Sequence, residues 1–287
     1  MRMTTVALMT TITVSRDSVL AAVRALLRAA RFTEACDLLA GNHDPAFALA
    51  RVEAALARDW HHGAITPVAV LRAAEPAVAR SGDVRAIWTL DYLTVRRDYA
   101  AQFVEPDPGT HGRLVRRATA VRDNAPDELC WGWAEFYLGL IADNVTGERD
   151  TAPTHYHRAV TVAEQHDDDL LLFETQRHLG DHAHDDGNAE LARQLWESST
   201  RHAARAGTTT GTLAQHLLLA VLARDRGDEA GAALLAGEIA RWTGAIGATR
   251  MHARTSAFLA GEDITQPPDG RGTAFSDEFH PAEHADQ

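Results

Sequence analysis

Lysine is absent from this sequence, and all 28 of its basic residues are arginine. That absence removes Schiff-base chemistry, a pyridoxal-phosphate lysine and a Walker-type phosphate loop together, since each needs a lysine amine. Cysteine is scarce: Cys36 and Cys130 stand alone and far apart, too few for a disulfide framework or a cysteine zinc site. A reducing, cytoplasmic compartment is expected. Aromatic residues make up 6% of the chain. No apolar run approaches the roughly 20 residues that span a bilayer. Positive charge is in deficit, with a net charge of -12, which disfavours DNA or RNA as a partner. GxGxxG, GxSxG, GxxxxGK[ST] and HExxH patterns are all missing, so nothing points to a dinucleotide fold, a serine nucleophile, a phosphate cradle or a zincin.

What remains is an ordinary globular composition, 45% hydrophobic and 24% charged over 287 residues, with enough apolar mass for a large core. Almost every segment reads as amphipathic helix rich in Ala, Leu, Arg and Glu, and strand-like alternation is missing outside the N-terminal arm. The expected class is all-α. Residues 1–17 are expected to form a flexible arm with a short apolar patch, Val6 to Met9, that lacks a signal-peptide pattern. Residues 262–287 hold seven acidic residues against Arg271, with Pro267, Pro268, Gly270 and Gly272. Such a segment cannot bury enough apolar surface to offset its ordering entropy and is expected to be a disordered acidic tail. Residues 18–261 are expected to form one domain.

Within that domain the turn signals repeat. Gly147-Glu148, Gly187-Asn188 and Gly227-Asp228 are each 40 residues apart and each separates two helical stretches. In the middle copy Leu179-Gly180, Ala183, Ala192 and Trp196 alternate large and small residues where two antiparallel helices would approach. Leu138-Gly139 and Ala142 match it in the preceding copy, with one extra residue before the Gly147 turn. Leu219, Ala220, Ala223 and Ala232 match it in the following copy, where Ala236 replaces the large residue. This pattern resembles the tetratricopeptide repeat, although the closing proline is absent and the period of 40 exceeds the usual 34. Weaker hairpins fall near 18–40, 45–81 and 84–124. The resemblance implies a right-handed α-solenoid of about six antiparallel hairpins, each burying its apolar face against its neighbours.

In such stacks the first helix of each hairpin lines a concave groove. On the middle copy, at 100° per residue, Glu174, His178, Asp181 and Asp185 share a polar stripe edged by Arg177, His182 and His184. The flanking groove helices carry Trp133, Phe136 and Leu140 before it and Ala214, Leu217 and Val221 after it. These apolar residues are either core or the walls of a ligand pocket with a charged strip. Glu174, His178 and Asp181 could ligate iron, manganese or zinc, or do acid–base work without metal, yet a helical face rich in Asp and His is ordinarily just solvated. A second stripe, Trp88, Tyr92, Arg96, Tyr99 and Phe103, reads either as core with Arg96 snorkelling or as an anion pocket using Arg96 or Arg97.

Two functional classes follow. The resemblance implies a binding protein whose groove recognises a peptide, a partner protein or a small apolar ligand, using Trp133, Phe136, Leu140, Leu217, Arg177, His178, Asp181, Asp185 and Arg224, with no cofactor. The alternative is an enzyme, such as a tailoring enzyme of secondary metabolism, with Glu174, His178 and Asp181 as catalytic or metal-ligating groups. Neither nucleic acid nor a membrane is expected as a partner, and a homodimer stays open. The Ala- and Arg-rich, lysine-free composition looks like that of a bacterial genome of high GC content.

Overall fold

The computed structural model describes residues 14–42 and 44–265. Thirteen α-helices run through them: α1 Arg16–Arg28, α2 Phe32–Leu39, α3 Pro45–His61, α4 Val68–Ser81, α5 Val84–Val104, α6 His111–Asp123, α7 Glu128–Ile141, α8 Ala152–Gln165, α9 Asp169–Asp185, α10 Ala189–Ala206, α11 Thr209–Asp225, α12 Glu229–Ala245 and α13 Thr249–Leu259. No strand occurs among the described residues. Their starts are written in the sequence. The side chains of Asp44, Asp83, Asp127, Asp168, Asn188 and Asp228 each accept a backbone N–H in the first turn of the helix that follows, satisfying donors that helix geometry leaves unpaired.

Their stops are equally local. Gly147, Gly187, Gly207, Gly227 and Gly247 all adopt positive φ, the left-handed turn that only glycine takes without a steric penalty. The interval between neighbours is 20 residues or twice that, and the position missing from the series, Asp167, also has a positive φ of 50°. One helix plus one turn therefore takes 20 residues, and the 40-residue spacing is a helix pair. The extra residue before Gly147 is absorbed by a π-helical turn, Ala142–Thr146, at the end of α7.

Successive helices pack as neighbouring pairs, and a second set of contacts joins α1, α3, α5, α7 and α9 to one another in order. These odd-numbered helices form an inner layer. α7 and α9 are buried almost all round, whereas α6, α8, α10 and α12 bury one stripe each. Small residues set the spacing between layers: a Cβ at Gly139 would stand 2.5 Å from the Tyr156 ring, and one at Gly180 would stand 2.4 Å from Trp196. The leucine–glycine pairs singled out in the sequence are thus the points where the second helix of a pair drives a large ring against the first.

The first and last of the described helices come together. α13 packs on α3, the Arg250 guanidinium lies 3.9 Å from the centre of the Trp60 ring, and Arg28 Nη1 donates to the Ala206 carbonyl at 3.1 Å. Helix α1 begins at Arg16, two residues ahead of the expected domain start. The acidic segment expected to be disordered from Glu262 is docked at its beginning, where Ile264 is buried and its carbonyl accepts from Arg254. The rest of that tail, from 266, and arm residues 1–13 lie outside the described residues.

Candidate functional site

The polar stripe of α9 lies inside the molecule. Glu174, Arg177, His178 and Asp181 are buried, with Arg177 and His178 fully inaccessible. His178 stacks on Tyr156, with ring centres 5.2 Å apart, and leans on Phe136 at 5.8 Å. Neither of its ring nitrogens makes a hydrogen bond, and Nδ1 stands 3.6 Å from Asp181 Oδ2. Burial holds this imidazole well below the usual histidine range, helped by the neighbouring Arg177 guanidinium and His182 ring. It is neutral at pH 7. Burial moves Asp181 the other way, up to about 6, against the pull of Arg177 and Arg254. Asp181 Oδ1 accepts from Trp196 Nε1 at 3.0 Å.

The residues expected beside that stripe are buried with it. Trp133, Phe136, Leu140 and Leu217 are each no more than 3% exposed. Trp133 Nε1 donates to Asp168 Oδ2 at 3.2 Å, which ties the α7 tryptophan to the cap of α9. Asp185 sits apart at the exposed end of α9, where Arg149 bonds it at 2.7 Å. Arg224 is half-buried over the Phe258 ring and donates to the carbonyls of Phe258 and Glu262. The structure therefore gathers Glu174, Arg177, His178 and Asp181 in one interior and leaves Asp185 and Arg224 at its margins. Among the described residues, no group of three or more His, Cys, Asp or Glu side chains is placed to hold a metal ion.

The second aromatic stripe is also interior. Trp88 stacks on Tyr92 at 5.1 Å and donates to the Val121 carbonyl, and Tyr99 packs edge-on against Phe103. Arg96 is 1% exposed and faces Glu53 at 3.6 Å across the α3–α5 contact. Arg97 turns away to the Thr66 carbonyl and Asp98.

Two buried groups were invisible to spacing arguments. Asp143 accepts from Tyr156 Oη at 2.8 Å and pairs with His182 Nε2 at 2.9 Å. It lies in the π-helical turn, so the extra residue before Gly147 was the available sequence signal. Glu53 stands on a helix whose Ala-rich pattern reads as plain core, and no local signal identifies it.

Glu53 also lines an opening that the sequence did not disclose. A cavity of about 300 Å³ lies among α1, α3 and α5. Its apolar wall is built from Leu20, Val23, Leu49, Ala50 and Ala86, and Arg16, Arg24, Arg85, Asp44 and Asp83 stand around it. A broader depression of about 500 Å³ runs under the exposed Trp242, lined by Leu213, Leu235 and Ile239, with Glu238 and His216 as its titratable groups. The α1–α3–α5 cavity has the layout expected of a small-molecule site, apolar walls with a few convergent polar groups. Neither it nor the depression is lined by Trp133, Phe136, His178 or Asp181.

No protein-family model matches this chain, and no curated protein matches it either. No described helix is long and apolar enough to cross a membrane.

Proposed function

We propose that this is a tetratricopeptide-like binding protein, a solenoid of six helical hairpins closed by α13, that takes its ligand in the α1–α3–α5 cavity. The single observation carrying this reading is the cavity's construction: aliphatic walls from three inner helices, with guanidinium and carboxylate groups converging at its edge. The paired helices and the Leu-Gly contacts support the repeat resemblance. Burial of His178 and Asp181 weighs against the enzyme reading, because a general base must come within hydrogen-bond reach of a substrate proton. A groove ligand held by Trp133 and Phe136 is disfavoured for the same reason.

Leu49 is half-buried on the cavity wall, so Leu49→Trp would fill the space from a position that can give way. The test is a thermal-shift screen of small metabolites and short peptides on the full chain, repeated on that variant and on His178→Leu. Saturable stabilisation that survives His178→Leu and vanishes in Leu49→Trp is the expected result. Ligands that depend on His178 and ignore Leu49 would refute the assignment.

A further inference from the structure

The α1–α3–α5 cavity is apolar within and balanced in charge. Arg16, Arg24 and Arg85 line it together with Asp44, Glu53 and Asp83. The helix starts beside it are already capped: Ser15 accepts from Ser18 N at 3.1 Å, Asp44 from Ala46 N at 2.8 Å and Asp83 from Arg85 N at 2.9 Å. Such an arrangement favours neither sign of charge in an occupant, whereas the walls, Leu20, Val23, Leu49, Ala50 and Ala86, favour an apolar one. Large apolar side chains also stand exposed next to lining residues. Val14, two positions ahead of Arg16, is 57% exposed, and Val84 and Ile87, beside Arg85 and Ala86 on α5, are 66% and 43% exposed.

A segment of matching chemistry joins the fold at this cavity. Residues 1–13 lie outside the described residues, and the helix that follows them begins at Arg16, which lines the cavity. Residues 1–14 hold a single charged side chain, Arg2. Their sequence alternates, so that Val6, Leu8, Ile12 and Val14 share one side of a period of two, with Thr10 among them. At about 3.3 Å per extended residue, Ile12 is at most about 13 Å from Arg16 and Val6 about 33 Å, so each can return to the cavity. A volume of about 300 Å³ holds about ten heavy atoms at roughly 30 Å³ each, the size of the Leu8 and Ile12 side chains with one valine. The acidic tail matches less well, since residues 266–287 carry five carboxylates.

We infer that the occupant of the α1–α3–α5 cavity is the chain's own N-terminal arm, with Leu8 and Ile12 laid against Leu20, Val23, Leu49 and Ala50. The tether is short, so the effective concentration of the arm at the cavity is about millimolar and a modest intrinsic affinity suffices. On the reading that the cavity is the binding site, the arm is what an incoming ligand displaces.

Cross-linking in the full chain tests this without any ligand, so its failure is distinct from failure of the binding-site reading. The background is Cys36→Ser, which removes the more accessible native thiol and leaves the buried Cys130. Thr10→Cys is paired with Leu49→Cys on the cavity wall or with Ala25→Cys, which is exposed on α1 outside the cavity and lies about 14 Å along the helix from Arg16, within reach of the same tether. With a short bis-maleimide, the Leu49 pair is expected to be bridged within one chain at least about tenfold faster than the Ala25 pair. Adding Leu8→Asp and Ile12→Asp, both ahead of α1, should bring the two rates together, with circular dichroism confirming that every variant folds. Equal rates at the outset, a Leu49 rate that ignores the two aspartates, or bridges that join two chains and vanish on dilution would each overturn the inference.

Discussion

Gly180→Ala is the sharpest test of how the helix pairs are spaced. The new Cβ would stand 2.4 Å from Trp196 Cδ1 and 2.5 Å from Nε1, so the indole must retreat by about 1 Å to regain an ordinary contact. Trp196 is 1% exposed, and its Nε1 donates both to the Arg177 carbonyl at 3.1 Å and to Asp181 Oδ1 at 3.0 Å. Overpacking of this kind costs about 1–3 kcal/mol. Weakening the bond to a carboxylate adds about 1–3 kcal/mol, and alanine's better helix propensity returns about 1 kcal/mol. The net expectation is a loss of about 1–5 kcal/mol. For a domain of this size that is a fall in Tm of about 2–20 °C. Gly237→Ala is the control: it lies within α12, where an added Cβ meets nothing within 4 Å, and it should gain up to about 1 kcal/mol. Urea unfolding followed by circular dichroism gives both values, and the loss should shrink in a Trp196→Leu background. A Gly180→Ala protein as stable as the parent would refute the close-approach reasoning.

The other two expectations concern buried charge. Because burial raises Asp181 to about 6, against about 3.9 in an unfolded chain, the folded state binds the proton more tightly, so stability falls as pH rises from 4 through 6. Asp181→Asn keeps an acceptor for Trp196. It should be about 1–3 kcal/mol more stable than the parent at pH 7, with the gain vanishing below pH 4 in denaturant titrations. Glu53→Leu should cost about 3–5 kcal/mol by removing the carboxylate that faces the buried Arg96, and Glu53→Leu with Arg96→Met should recover most of that. A single substitution costing under about 1 kcal/mol would show that the pair contributes little.

The helical hairpins were legible from the sequence because their signals are short-ranged. An Asp before an apolar-periodic run, a glycine after it and a small residue facing a large one across a turn act within one or two helices. The 40-residue period was read correctly as a helix pair. The finer 20-residue period was not, since Gly207 and Gly247 were not aligned with the others and Asp167 occupies the remaining left-handed position. The candidate site was less legible. Glu174, His178 and Asp181 do share one face of α9, as 100° per residue dictates, but charge on a helix is ordinarily solvated. Nothing in α9 alone says that Phe136 and Tyr156 will cover it. Asp143 and Glu53 were missed because their partners, His182 and Arg96, lie 39 and 43 residues away in the chain.

The sequence by itself determined the all-helical class and the pairing of helices about the Gly147, Gly187 and Gly227 turns, because capping, propensity and periodicity are decided within about 40 residues. Only the tertiary structure decided which faces meet water. Here α13 packs onto α3 and Arg28 reaches the end of α10, and Phe136 and Tyr156 from the neighbouring helices lie against His178, so the expected groove stripe is interior. The cavity among α1, α3 and α5 likewise depends on how three helices from different hairpins converge, which no single helix encodes.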